Sequence, residues 1–206
     1  MIVDPFTLLA FLPAGLALNL TPGADMMFCL GLGLRAGPRP ALAASAGISA
    51  GGMAHVTLAG LGLAAMIAAF PLALDVIRWL GVAYLLWLAR GALRQGPIRA
   101  QARTMGAARA FREGMVVNLL NPKVILFVLA FVPQFVDPAR AMLPQFLVFG
   151  LILAAGGFVI NGLVGVFAGG LGRHLATSPR LARALGIASA TIFTALAIRL
   201  AVMQRT

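Results

Sequence analysis

The sequence predicts an all-α membrane protein, with six transmembrane helices set as two inverted three-helix repeats. Three observations carry that prediction. Of 206 residues, 61% are hydrophobic and only 10% are charged, whereas a soluble domain carries roughly 25% charged residues. The apolar residues gather into six segments, each close to the ~20 residues that a spanning helix needs. An asparagine–proline motif also occurs twice, about a hundred residues apart, each time inside such a segment.

The first segment, about Phe6 to Leu34, contains Gly15, Asn19, Leu20, Thr21, Pro22, Gly23 and Asp25. Proline removes an amide donor and clashes with the preceding turn, so this helix must bend or open at Pro22. The second, about Ala41 to Phe70, carries Ala43, Ala44, Gly47, Gly51 and Gly52, small residues that let neighbouring backbones approach closely. Packing is the role expected for those glycines. The third runs from about Leu72 to Ala89 and includes Arg78. A basic stretch, about 96–112, then reads as a cytoplasmic loop between repeat 1 (about 1–95) and repeat 2 (about 113–206).

The fourth segment, about Met115 to Val136, follows Gly114 and holds Asn118, Leu119, Leu120, Asn121, Pro122 and Lys123. The fifth, about Leu143 to Leu171, has Gly156 and Gly157, and the sixth runs from about Leu181 to Met203. One integral membrane domain therefore covers 1–206, without room for a soluble one.

The repeat extends beyond the prolines. Gly51, Gly52 and Gly60 recur as Gly156, Gly157 and Gly165, all at an offset of 105. At the same offset Arg78, Leu80, Gly81, Ala83 and Arg94 match Arg183, Leu185, Gly186, Ala188 and Arg199. The proline regions are offset by 99 to 100, and the intervening loops absorb the difference. With three spans in each half, the second half enters the membrane upside down.

The formal charge of +11 follows a membrane pattern. Arginines cluster after the first segment (Arg35, Arg39), the third (Arg90, Arg94, Arg99, Arg103, Arg109, Arg112) and the fifth (Arg173, Arg180, Arg183). The opposite side has only Arg78, Arg140, Arg199 and Arg205, which places both termini outside by the positive-inside rule. The aromatic residues lie within apolar runs, with no basic-aromatic stripe for nucleic acid. The opening MIVDPF lacks the basic region of a signal peptide, so the first segment is expected to be retained.

One cysteine, Cys29, permits no internal disulfide and excludes a thiol–disulfide electron carrier; a packing role is expected for it. His55 and His174 are too few for a transition-metal site. No Gly-rich Lys-Ser/Thr nucleotide loop and no His-Glu-x-x-His motif occurs. An enzyme, an ATP-driven pump, a bound metal and an organic cofactor are all unexpected.

Two interrupted helices at corresponding places in two halves point to a transporter's central binding site. Asp25 is the one carboxylate expected deep in the membrane, since Asp4, Asp75, Glu113 and Asp137 lie near segment ends. An intramembrane acid is costly and is a functional candidate by default. It would bind an ammonium group, a coupling proton, or each in turn; the bland alternative is that it neutralises Lys123. Lys123 would meet a carboxylate or lock Asp25, the alternative being a lysine that snorkels to an interface.

Asn19, Thr21, Asn118 and Asn121 flank the opened backbone at Pro22-Gly23 and Pro122. They would cap half-helices whose positive N-terminal ends favour a carboxylate, or satisfy the carbonyls that the prolines release. Arg78 and Arg183 are repeat-related gate candidates, although arginines near helix ends usually snorkel. His55 is a candidate proton relay, with a hydrogen bond to a neighbouring helix as the expected role.

These pieces resemble the LysE/RhtB family of amino-acid exporters. The resemblance rests on Asn19-Leu20-Thr21-Pro22-Gly23-Ala24-Asp25, the glycine-rich second segment through His55, and Arg78-Trp79-Leu80-Gly81-Val82-Ala83-Tyr84-Leu85. Phe111-Arg112-Glu113-Gly114 and Asn118-Leu119-Leu120-Asn121-Pro122-Lys123 complete it. Two departures stand out: Ala24 replaces the second proline of Pro-Gly-Pro, and Arg78 stands where lysine is frequent.

The resemblance implies a multi-pass protein of the bacterial cytoplasmic (inner) membrane. It also implies export of an amino acid or close derivative by proton antiport, with the lipid bilayer and a small-molecule substrate as partners. A single central carboxylate would leave a dibasic substrate's second ammonium unpaired, which favours neutral amino acids. The alternative, an exporter of a divalent cation or other small metabolite on the same fold, would want more carboxylate, His or Cys ligands than one acid supplies. Small-residue faces would pack within one chain or between chains of a homo-oligomer.

Overall fold

In the computed structural model, residues 2–69, 73–94, 105–168 and 178–202 are described, and their regular elements are all helices. Helix α1 (Pro5–Leu20) starts where the Asp4 carboxylate accepts the Thr7 amide at 3.1 Å, with Pro5 in the first turn. It stops at Pro22, and α2 (Ala24–Ala36) leaves at 51° to it. Gly37, at φ +88°, ends α2, a left-handed backbone that glycine adopts without steric cost. Helices α3 (Pro38–Ala69) and α4 (Ala73–Leu93) complete the first half.

The second half opens with α5 (Ala107–Leu119) and α6 (Pro122–Leu126), bent by 52° at Pro122. α6 continues through a π turn (Phe127–Phe131) and a 3-10 turn (Val132–Phe135). Helices α7 (Met142–Val166) and α8 (Pro179–Val202) follow.

The all-α expectation holds, and the helices follow the expected apolar segments. Among the described residues, Pro38–Gly62 and Met142–Val166 are each long and apolar enough to cross a membrane, and counting each bent pair as one span makes four. The third and sixth segments coincide with α4 and α8, whose apolar stretches, Trp79–Leu93 and Arg183–Ile198, are shorter.

The expected loop over 96–112 ends early. Residues 107–112 are already helical, and Arg109 pairs with Glu113 one turn along at 2.6 Å, a spacing that stabilises a helix. Arg99, Arg103, Arg173, His174 and Arg205 lie outside the described residues.

Helices α3 and α7 pack against each other at the centre. α5 lies on α3, α1 and α2 lie on α7, and α4 pairs with α8. Glycines permit the close crossings. A Cβ on Gly47 would meet the Phe111 carbonyl, and one on Gly114 the Ala44 carbonyl. Phe11 is fully buried in an aromatic cluster, with ring centroids 4.7 Å from Phe149 and 5.2 Å from Phe135. Large apolar side chains such as Leu16, Trp79, Trp87 and Leu151 face outward, the distribution of a helical protein built for an apolar surround.

A candidate substrate site between two broken helices

Each proline deprives one carbonyl of its partner. In an α-helix the amide of residue 22 would bond the carbonyl of Leu18, and that of residue 122 the carbonyl of Asn118. Proline has no such amide. In both places a basic side chain from another helix supplies a donor. Lys123 Nζ donates to the Leu18 carbonyl at 2.9 Å and to the Thr21 carbonyl at 2.8 Å. At the other break, His55 Nε2 lies 3.3 Å from the Asn118 carbonyl, which also accepts the Asn121 amide at 2.9 Å.

The polar residues at the breaks divide into two groups. Thr21 donates its hydroxyl to the Ala17 carbonyl at 2.6 Å, and Asn19 donates to the Leu153 carbonyl on α7 at 3.1 Å. Asn121 caps α6, its side-chain oxygen accepting the Lys123 amide at 3.0 Å. These contacts satisfy backbone groups. Asn118 instead donates its side-chain amide to Asp25 Oδ2 at 2.8 Å, across 93 residues of sequence.

Asp25 sits in the first turn of α2 and is 8% exposed, where the helix dipole favours a negative charge. Its Oδ1 has no hydrogen-bond partner, and neither has Asn118 Oδ1 or Asn121 Nδ2. Buried polar atoms are nearly always paired, so Asp25 Oδ1 and Asn118 Oδ1, which no protein group satisfies, are acceptors open to water or a ligand donor.

Asn19, Thr21, Asp25, Asn118 and Lys123 line one cavity, as do Ser49 and Asn161, which the sequence did not mark. Its apolar wall includes Leu18, Val124, Val128 and Leu153. The free space is about 40 Å³, room for a few waters at roughly 10–15 Å³ each.

Asp25 and Lys123 share this cavity without pairing, because the carboxylate takes Asn118 and the ammonium takes two main-chain carbonyls. Pro22, Gly23, Asn121 and Pro122 shape the breaks from outside the lining. His55 stands behind Asn118, also outside the lining. Arg183 is exposed on α8 and is not brought to the site; the side chain of Arg78 lies outside the described residues. Cys29 is fully buried in a packed cluster.

Two further signals were present in the sequence. Lys123 is the chain's one lysine among 16 basic residues, and Tyr84 is its one tyrosine. The two meet: the Tyr84 hydroxyl donates to the Lys123 carbonyl at 2.7 Å.

The chain has relatives throughout its length. It is 37% identical over 152 residues to an uncharacterized membrane protein of Vibrio cholerae, covering 72% of this chain and 74% of the other. It is 34% identical over 148 residues to a homoserine/homoserine lactone efflux protein of Salmonella typhimurium, covering 69% and 70%. A leucine efflux protein of Klebsiella pneumoniae is 29% identical over 202 residues, 95% of each chain. No solved structure matches. The family model of the LysE type translocator matches residues 16–204, and the chain therefore belongs to the LysE type translocator family.

Proposed function

We propose that this protein exports a neutral amino acid or close derivative across the bacterial cytoplasmic membrane, in exchange for protons. The observation that carries the reading is the unpartnered Asp25 Oδ1, buried in the same cavity as the chain's one lysine. An intramembrane acid and base in one small cavity suit a zwitterion. Its ammonium would take Asp25 Oδ1 and Asn118 Oδ1, and its carboxylate would take Lys123. A homoserine/homoserine lactone efflux protein and a leucine efflux protein are among the relatives, and homoserine and leucine are neutral amino acids.

Asp25 exchanges a proton for the substrate ammonium, so the two occupy it in turn. The cavity has room for only a few waters, and loading an amino acid with a side chain would require the broken helices to part. Alternating access about the Pro22 and Pro122 breaks supplies that motion.

Six spans in two inverted repeats form the frame of this reading. Three things support it: the nearly equal bends of 51° and 52°, the matching carbonyls left at Leu18 and Asn118, and the glycine pairs. A Cβ on Gly51 would lie 3.0 Å from Asn118 Oδ1, and one on Gly156 would lie 2.7 Å from Asn19 Nδ2. The arginine distribution orients both termini outward.

The test is counterflow from proteoliposomes loaded with mixed amino acids under an imposed pH gradient. Gradient-dependent loss of a few neutral amino acids is expected, abolished or made pH-independent at low rate by Asp25→Asn. Wild-type rates and wild-type pH dependence in Asp25→Asn would overturn the assignment of Asp25.

A further inference from the structure

The backbone at Gly23 gives no reason for glycine. Its φ of −166° and ψ of −171° describe extended chain that any residue adopts. The reason is space. A Cβ there would lie 3.2 Å from Lys123 Nζ and 3.4 Å from Lys123 Cε. The ammonium it would crowd is held at 2.9 Å and 2.8 Å by the Leu18 and Thr21 carbonyls, so retreat from Gly23 strains those two bonds.

Gly23 and Lys123 are also counterparts. Each directly follows its motif's proline, and in the folded chain the Lys123 tip stands where a Cβ on Gly23 would press on it. One long side chain lies between the two breaks, and a side chain at the other position would press on its tip.

We propose that Gly23 is a positioning residue whose missing side chain is the seat of the Lys123 ammonium. Seated there, the ammonium uses two of its three N–H groups on α1 and keeps the third for a ligand carboxylate in the cavity that Lys123 lines. The size of residue 23 then sets how well the site holds a carboxylate. The inference goes beyond the export reading and rests on it only for the transport arm of the test.

Because Lys123 is the chain's one lysine, isotope-labelled lysine gives a single side-chain NMR signal from the full chain in nanodiscs. Gly23→Ala is expected to move that signal. It is also expected to raise the KM for the exported amino acid about tenfold, a coupling usual for residues in contact, while leaving the KM of its carboxyl amide unchanged. The melting temperature should fall in Gly23→Ala, and should fall no further when the same change is added to Lys123→Met.

An unmoved lysine signal, or equal melting losses in both backgrounds, overturns the seat and makes position 23 a matter of the α2 backbone. If Gly23→Ala does not accumulate, recovery of yield on adding Lys123→Met supports the seat, and continued absence overturns it. If the parent protein exports no amino acid, the export reading fails, while the lysine signal and the melting cycle still decide the role of Gly23.

Discussion

Asn118 reaches from the end of α5 to the first turn of α2 and donates its side-chain amide to Asp25 at 2.8 Å. The bond joins the two broken helices, and it leaves Asn118 Oδ1 against the bare backbone of α3 at Gly51, without a hydrogen-bond partner. One amide thus fixes the carboxylate with its nitrogen, and both residues keep one unpartnered oxygen. Both oxygens are acceptors that a ligand ammonium entering the cavity could use.

Asn118→Ala is expected to lower substrate affinity by about tenfold to a hundredfold, since a hydrogen bond to a charged group is worth about 1.5–3 kcal/mol. Initial efflux rates at varied internal substrate, read as KM and kcat, check this. Asn118→Asp should lose more, because a second carboxylate would face Asp25.

His55 is expected to act as a helix cap. Its contact with the Asn118 carbonyl is 3.3 Å, and that carbonyl already holds the Asn121 amide. His55→Gln keeps a donor of similar reach, so transport should retain the parental pH profile with a rate loss of about threefold at most, less than one ordinary hydrogen bond. A displaced pH profile in His55→Gln would return the histidine to the proton path.

The glycines over the two asparagines should respond alike. Gly51→Ala would crowd Asn118 at 3.0 Å, and Gly156→Ala would crowd Asn19 at 2.7 Å. Overpacking of this kind costs about 1–3 kcal/mol. Thermal melting of each purified variant should show a loss of several degrees, roughly 2–4 °C per kcal/mol for a domain of this size. Gly62→Ala, where a Cβ meets nothing within 4 Å, should melt with the parent.

The breaks were legible because proline acts locally, removing an amide at Pro22 and Pro122, and because each stands in a repeated asparagine motif; α1 runs unbroken past Pro13, which lacks that setting. The intramembrane acid and base were legible from burial cost alone. Their partners were not. Which neighbour Asp25 meets depends on the rotation of α2 and α5 about their axes, and Asn118 stands 93 residues away. A direct contact between Asp25 and Lys123, one of the arrangements the sequence allowed, is replaced by carbonyl contacts because the proline left Leu18 without a partner nearer to the ammonium.

Residues 107–112 read as loop because their arginines set the local hydropathy, yet the Arg109–Glu113 pair makes those charges compatible with a helix. Ser49 and Asn161 carry no motif at all, and only helix packing brings them to the cavity.

A space of about 40 Å³ at the centre sets how flux can behave. Room for a few waters is not room for a solute to diffuse through, so on the alternating-access reading each molecule costs one rearrangement of packed helices. Collective motions of that kind take microseconds to milliseconds. Flux should therefore saturate with internal solute, as in a carrier, and stay far below the throughput of an open channel. A carrier of that kind would not leave the membrane open between cycles, so a cell could hold this protein in quantity without its metabolite pools draining away.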